Sequence, residues 1–109
     1  MRRGLTLIAL LSALGAPCVA GGRDARLESY GRHLAQECTS CHRIDGVDNA
    51  IPSIVGWDPE RFVATLKFYQ TGARGNPVMV SVAQSLDEEQ VRALAAYYGS
   101  LPKPEPRGR

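Results

Sequence analysis

Cys38-Thr39-Ser40-Cys41-His42 is the stretch on which the reading of this chain turns. Two thiols stand three residues apart, and an imidazole follows the second directly. That order is the attachment pattern of a c-type haem. The thiols of Cys38 and Cys41 are spaced to add to the two vinyl groups on neighbouring edges of one porphyrin, and His42 then meets the iron from the same face. Two other uses of the motif are weighed against this one. A redox dithiol of the thioredoxin kind belongs near a strand-helix-strand unit, which this sequence lacks. A zinc site wants more ligands than Cys38, Cys41, His42 and His33 conveniently provide. The expectation is therefore one covalently attached haem c per chain, with Cys38, Cys41 and His42 among its binding residues.

The segment ahead of the motif fits that chemistry. Arg2 and Arg3 precede an apolar run from Leu5 to Ala16, and Cys18-Val19-Ala20 offers small residues for cleavage, so residues 1–20 read as an export signal. Lipid attachment at Cys18 is the rival, and Gly15-Ala16-Pro17 suits it poorly. The run is short for a membrane span and nothing later is as apolar, which predicts a periplasmic product without stable membrane insertion. Of 109 residues, 89 then remain, forming one small domain over 21–102 and a mobile tail over 103–109. So short a chain has a thin core and needs a staple, which a buried cofactor supplies better than a disulfide closing a three-residue step. Thirteen basic residues less Arg2 and Arg3 leave eleven against eleven acidic ones, and no case for nucleic-acid binding survives.

No sustained alternation of apolar and polar residues marks a strand, so the fold is expected to be all-α. Leu27, Tyr30, Leu34 and Cys38 recur at helical spacing and predict a helix from Ala25 to about Cys38. From His42 to Trp57 the turn residues Gly46, Asp48, Asn49, Pro52 and Gly56 predict an irregular wrapping loop. Asp58 as cap, Pro59 at the first helical position and a Trp57–Phe62 staple open a second helix whose face is Phe62, Leu66 and Tyr69. Gly72 ends it, and Gly72 to Val80 reads as a second loop, carrying Met79. The last helix has Asp87 answered by Gln90 in a capping box, with Val91, Leu94, Ala95, Tyr98 and Leu101 as its buried face. Pro102, Pro104 and Pro106 close it.

After residues 1–20 the candidates for a sixth iron ligand are His33 and Met79. His33 lies in the helix leading to the motif and is expected to point to water. Met79, 37 residues after His42 in a Gly/Pro-rich stretch, is the expected ligand, and His/Met ligation suits an electron carrier with no open iron position. A backbone carbonyl near Ile51 or Pro52 is the expected acceptor for the second ring nitrogen of His42. Arg43 and Arg74 are candidates to pair with haem propionates. Trp57 and Tyr69 are candidates to line the pocket, Tyr69 also as a donor to the Met79 sulfur.

From Tyr30 to Leu101 these features resemble the class I cytochromes c. Gly31 stands seven residues before Cys38, where the resemblance implies a close crossing of the first and last helices against an aromatic, here Tyr97. Ile51-Pro52-Ser53-Ile54-Val55-Gly56, Phe68-Tyr69-Gln70-Thr71-Gly72-Ala73-Arg74, Val78-Met79 and Leu86-Asp87-Glu88-Glu89 are similar to bacterial members with a short middle section. They are similar in particular to cytochrome subunits of flavocytochrome c sulfide dehydrogenases and related dihaem cytochromes. The resemblance implies three main helices and loops wrapped around one haem, and an electron carrier rather than an enzyme. Implied partners are redox proteins, among them a flavoprotein sulfide dehydrogenase subunit or a terminal oxidase. Here there is one C-x-x-C-H and no second haem domain, and Arg43 follows His42 where many members have glycine.

Overall fold

The computed structural model describes residue 15, residues 21–73 and residues 75–105, with the side chains of 21–24 excepted. The signal-like segment, Arg74 and the end of the tail fall outside the described residues. Four helices follow in order, α1 (Gly21–Cys38), α2 (Pro59–Gln70), α3 (Pro77–Gln84) and α4 (Glu88–Ser100), and among the described residues there is no strand ladder.

Local chemistry accounts for three of the four helix starts. At α2 the Asp58 carboxylate accepts from the Arg61 N–H at 3.0 Å and Pro59 occupies the first turn, where its missing N–H costs nothing. Trp57 meets Phe62 edge-on, with ring centroids 6.5 Å apart. At α4 the capping box is complete: Asp87 accepts from Gln90 N at 2.8 Å and the Gln90 side chain accepts from Asp87 N at 2.9 Å. The third start corrects the sequence reading. Where a loop from Gly72 to Val80 was expected, Asn76 caps a helix, its Oδ1 accepting from Val78 N and Met79 N at 3.1 Å each, with Pro77 in the first turn. The glycines that suggested a loop lie ahead of this cap. The fold thus has the three main helices expected and a fourth, short one, which carries Met79.

The helices close by crossing α1 over α4. Gly31 is buried at that crossing, and a Cβ built on it would overlap the Ala93 carbonyl and stand 2.8 Å from the Tyr97 Cβ. The buried stripe of α1 is Gly31 and Ala35, flanked by half-buried Leu27, Leu34 and Cys38, while Tyr30 is turned out. On α4 the buried face takes in Ala93 as well as Val91, Leu94, Ala95 and Tyr98, while Leu101, expected on it, is the half-buried cap just past the helix. It packs on both α1 and α2, and α3 packs on α2. Phe62 and Tyr98 stack at 5.7 Å in the centre, joined by Leu66, Ile54 and Val55. Beyond α4, Lys103 and Pro104 lie against the turn glycines Gly56 and Gly46.

Candidate haem site

The C-terminal end of α1 delivers the motif. Thr39 N and His42 N donate to the Ala35 and Cys38 carbonyls at 3.0 and 2.8 Å, so the chain stays coiled through the two cysteines. Cys41 is exposed and Cys38 half-buried, and no disulfide joins them. His42 is buried, at 8% exposure. Its Nδ1 lies 2.7 Å from the Pro52 carbonyl oxygen, which fixes the ring and, with the proton on Nδ1, leaves Nε2 with its lone pair free for a metal. Of the two carbonyls considered, Pro52 is thus the one that the ring meets.

The 42–57 loop is shaped to present that carbonyl. Asn49 and Ile51 pair across Ala50, which takes φ +60° in the left-handed region. An alanine there is strained by about 1–2 kcal/mol. The Asp48 carboxylate accepts from Ser53 N and so ties the loop across Pro52. The sequence marks Asp48 only as a turn former, because its partner lies five residues on, across the proline.

Tyr98, placed from sequence only on the buried face of α4, also belongs to the site. Its hydroxyl is fully enclosed and has no hydrogen-bond partner of acceptable geometry among the described residues. It lies beside Cys38, close enough for each to alter the other's proton affinity. Burial pushes the Tyr98 phenol up, and the neighbouring Cys38 sulfur adds to the shift. Burial likewise pushes the Cys38 thiol up, with the Tyr98 hydroxyl acting in the opposite sense. A buried hydroxyl with only a weakly bonding sulfur beside it is poorly satisfied, so its position at the attachment cysteine marks a place where another group belongs.

The remaining candidates distribute as follows. Met79 is half-buried in the first turn of α3 and packs against the core cluster, as do Trp57 and Tyr69. His33 is exposed on α1. Arg43 is engaged by Asp45, Nη2 to Oδ2 at 2.5 Å and Nε to Oδ1 at 3.1 Å, which holds its guanidinium at the loop. Arg61 covers the Trp57 ring at 4.3 Å. Among the described residues no three His, Cys, Asp or Glu side chains gather as a metal-ion site would need. Two thiols, one oriented imidazole and an orphaned hydroxyl form a donor set that fits covalent haem better than a bare metal ion.

Comparison with known proteins bears on this directly. No protein-family model matches the chain. It is 36% identical over 77 residues to the cytochrome subunit of sulfide dehydrogenase from Chlorobaculum tepidum, covering 70% of each chain. It is 30% identical over 95 residues to cytochrome c-553 of Helicobacter pylori, covering 84% of this chain and 96% of that one. A thiosulfate dehydrogenase electron acceptor from Thiomonas intermedia is 39% identical over 83 residues, which span 68% of this chain but only 38% of that protein. Helices alone among the described residues around a C-x-x-C-H motif, a close α1–α4 crossing at Gly31 and two relatives matched over most of their length agree: the chain belongs to the class I cytochromes c, which carry electrons and are not themselves catalytic.

Proposed function

We propose that this chain carries single electrons in the periplasm on one haem c, held covalently by Cys38 and Cys41 and ligated by His42 and Met79. The observation that supports it most is the 2.7 Å contact between His42 Nδ1 and the Pro52 carbonyl. That hydrogen bond sets the tautomer an iron ligand requires and raises the basicity of Nε2. When bound, the haem supplies the one-electron couple, and the chain supplies orientation, exclusion of water and a docking surface. A small domain with Ile44, Ile51, Phe68, Val78 and Val82 all largely exposed has apolar surface to spare for covering a porphyrin. Residues 1–20 act as the export signal and 21–102 as the one-haem unit, and no described helix is long and apolar enough to cross a membrane.

A thioether ligand favours reduced iron. Met79→Ala is therefore expected to lose the sulfur-to-iron charge-transfer band of the oxidised protein and to lower the reduction potential, with the haem still attached. An unchanged band would assign the sixth position to another group, His33 being the candidate.

The second reading is the electron-accepting subunit of a flavocytochrome c sulfide dehydrogenase-like complex, favoured by the likeness to a sulfide dehydrogenase subunit and a thiosulfate dehydrogenase electron acceptor. A shuttle makes small, brief contacts, whereas a permanent subunit buries a larger and more apolar surface. Stoichiometric copurification of a flavoprotein with the exported chain decides for the subunit, and its absence for the shuttle.

A further inference from the structure

α3 is a helix that its own sequence barely supports. It has eight residues, below the length at which an isolated helix holds in water, and three of them are valines, which lose side-chain freedom in a helix. Only Ala83 on it is fully buried, and Val78 and Val82 face outward. Packing against the protein alone therefore contributes little, and the last carbonyls accept from the backbone of the turn that follows, Ser85 N meeting Ser81 and Val82 and Leu86 N meeting Ala83 at 3.1–3.2 Å, the long end for such bonds.

Gln70, the last residue of α2, supplies a further tie. Its Nε2 donates to the Ala83 carbonyl at 2.9 Å and to the Leu86 carbonyl at 3.1 Å, using both amide hydrogens. In return Gln84 Nε2 donates to the Gln70 carbonyl at 3.3 Å, which satisfies one of the open carbonyls at the end of α2. The two helix ends are sewn together by three hydrogen bonds between residues 13 to 16 apart in the chain. Ala83 lies four residues after Met79, on the same face of α3 and one turn away. Whatever holds Ala83 also holds the backbone of the methionine.

We propose that Gln70 is a positioning residue for Met79: its side-chain amide fixes α3 against α2 and so sets how firmly the thioether is kept at its place. This rests on the Met79 ligation proposed above. Without the clamp α3 keeps its Asn76 cap and the backbone bonds from Ser85 and Leu86 but loses its tie to α2, and the sulfur should give way more readily to a competing ligand. A merely structural role for Gln70 predicts a lower unfolding midpoint with no change in that competition.

The test is an imidazole titration of the oxidised, haem-loaded full chain, following loss of the charge-transfer band, for the wild type and for Gln70→Leu. Releasing two hydrogen bonds of ordinary net strength should tighten apparent imidazole binding by about tenfold. Gln70→Glu, which keeps length and an acceptor but loses both donors, should shift in the same direction and serves if the leucine variant does not fold. Faster exchange of the α3 backbone amides, with those of α1 and α4 unchanged, is the second expected readout. Imidazole affinity within twofold of wild type in a folded variant overturns the proposal. A wild type without the band, binding imidazole as Met79→Ala does, would instead defeat the ligation reading on which it rests.

Discussion

Replacing Gly31 with alanine adds one methyl group at the closest approach of two helices and should destabilise the fold. The built Cβ falls inside the van der Waals envelope of the Ala93 carbonyl and stands 2.8 Å from the Tyr97 Cβ. The obstacle is backbone, not the flexible end of a side chain, so no rotamer change relieves it, and α1 and α4 must move apart. Overpacking of this kind costs about 1–3 kcal/mol, and separating the main helix pair in a thin core argues for the upper half of that range. Alanine inside a helix would otherwise gain about 0.5–1 kcal/mol over glycine, so the two effects have opposite signs. The net expected loss is about 1–2 kcal/mol, a drop of roughly 4–16 °C in unfolding midpoint for a domain of this size. Gly31→Val should lose more still. Denaturant unfolding of the haem-loaded protein, followed by far-ultraviolet circular dichroism, gives the values, and the visible spectrum of the folded state should stay nearly intact. An alanine variant as stable as the wild type or more so, with a harmless valine, would refute the close crossing.

Two further outcomes follow from strained or unpartnered groups. Tyr98→Phe removes a buried hydroxyl whose protein neighbour is the weakly bonding Cys38 sulfur, so stability should change by no more than about 1 kcal/mol. A larger loss would show that the bound haem group or a buried water satisfies the hydroxyl in the loaded protein. Ala50→Gly relieves a φ of +60° and should stabilise by roughly 1 kcal/mol despite the added freedom of the unfolded chain; a destabilised variant would mean that the turn is not left-handed in solution.

Those features legible in the sequence are the ones set by neighbours in the chain. Asp58-Pro59 and the Asp87–Gln90 box announce helix starts because cap and recipient lie within three residues. Gly31 was legible through the family resemblance, since nothing local distinguishes a glycine at a crossing from an unfavourable helix residue. α3 was missed although Asn76-Pro77 repeats the logic of Asp58-Pro59. Gly72, Gly75 and Asn76-Pro77 itself read as loop features, and the clamp that makes so short a helix stand is contributed by Gln70, remote in sequence. Ala93 was left out of the buried face because α4 packs on two helices, not one, which widens the stripe beyond a simple period. At the site, His42 and its carbonyl partner were in view because the motif fixes the first and the proline-bearing loop suggests the second. The approach of Tyr98 to Cys38 spans nearly the whole domain and only the folded chain brings it about.

Intact mass spectrometry of the exported chain after extraction in acidified acetone tests the central claim most directly. Non-covalent haem leaves under these conditions and thioether-bound haem stays. The account predicts a single species, the chain starting near Gly21 plus the mass of one haem, with retention weakened in Cys38→Ser or Cys41→Ser and abolished when both are replaced. A bare chain two mass units lighter than its reduced form, carrying a Cys38–Cys41 disulfide and no haem, would contradict it.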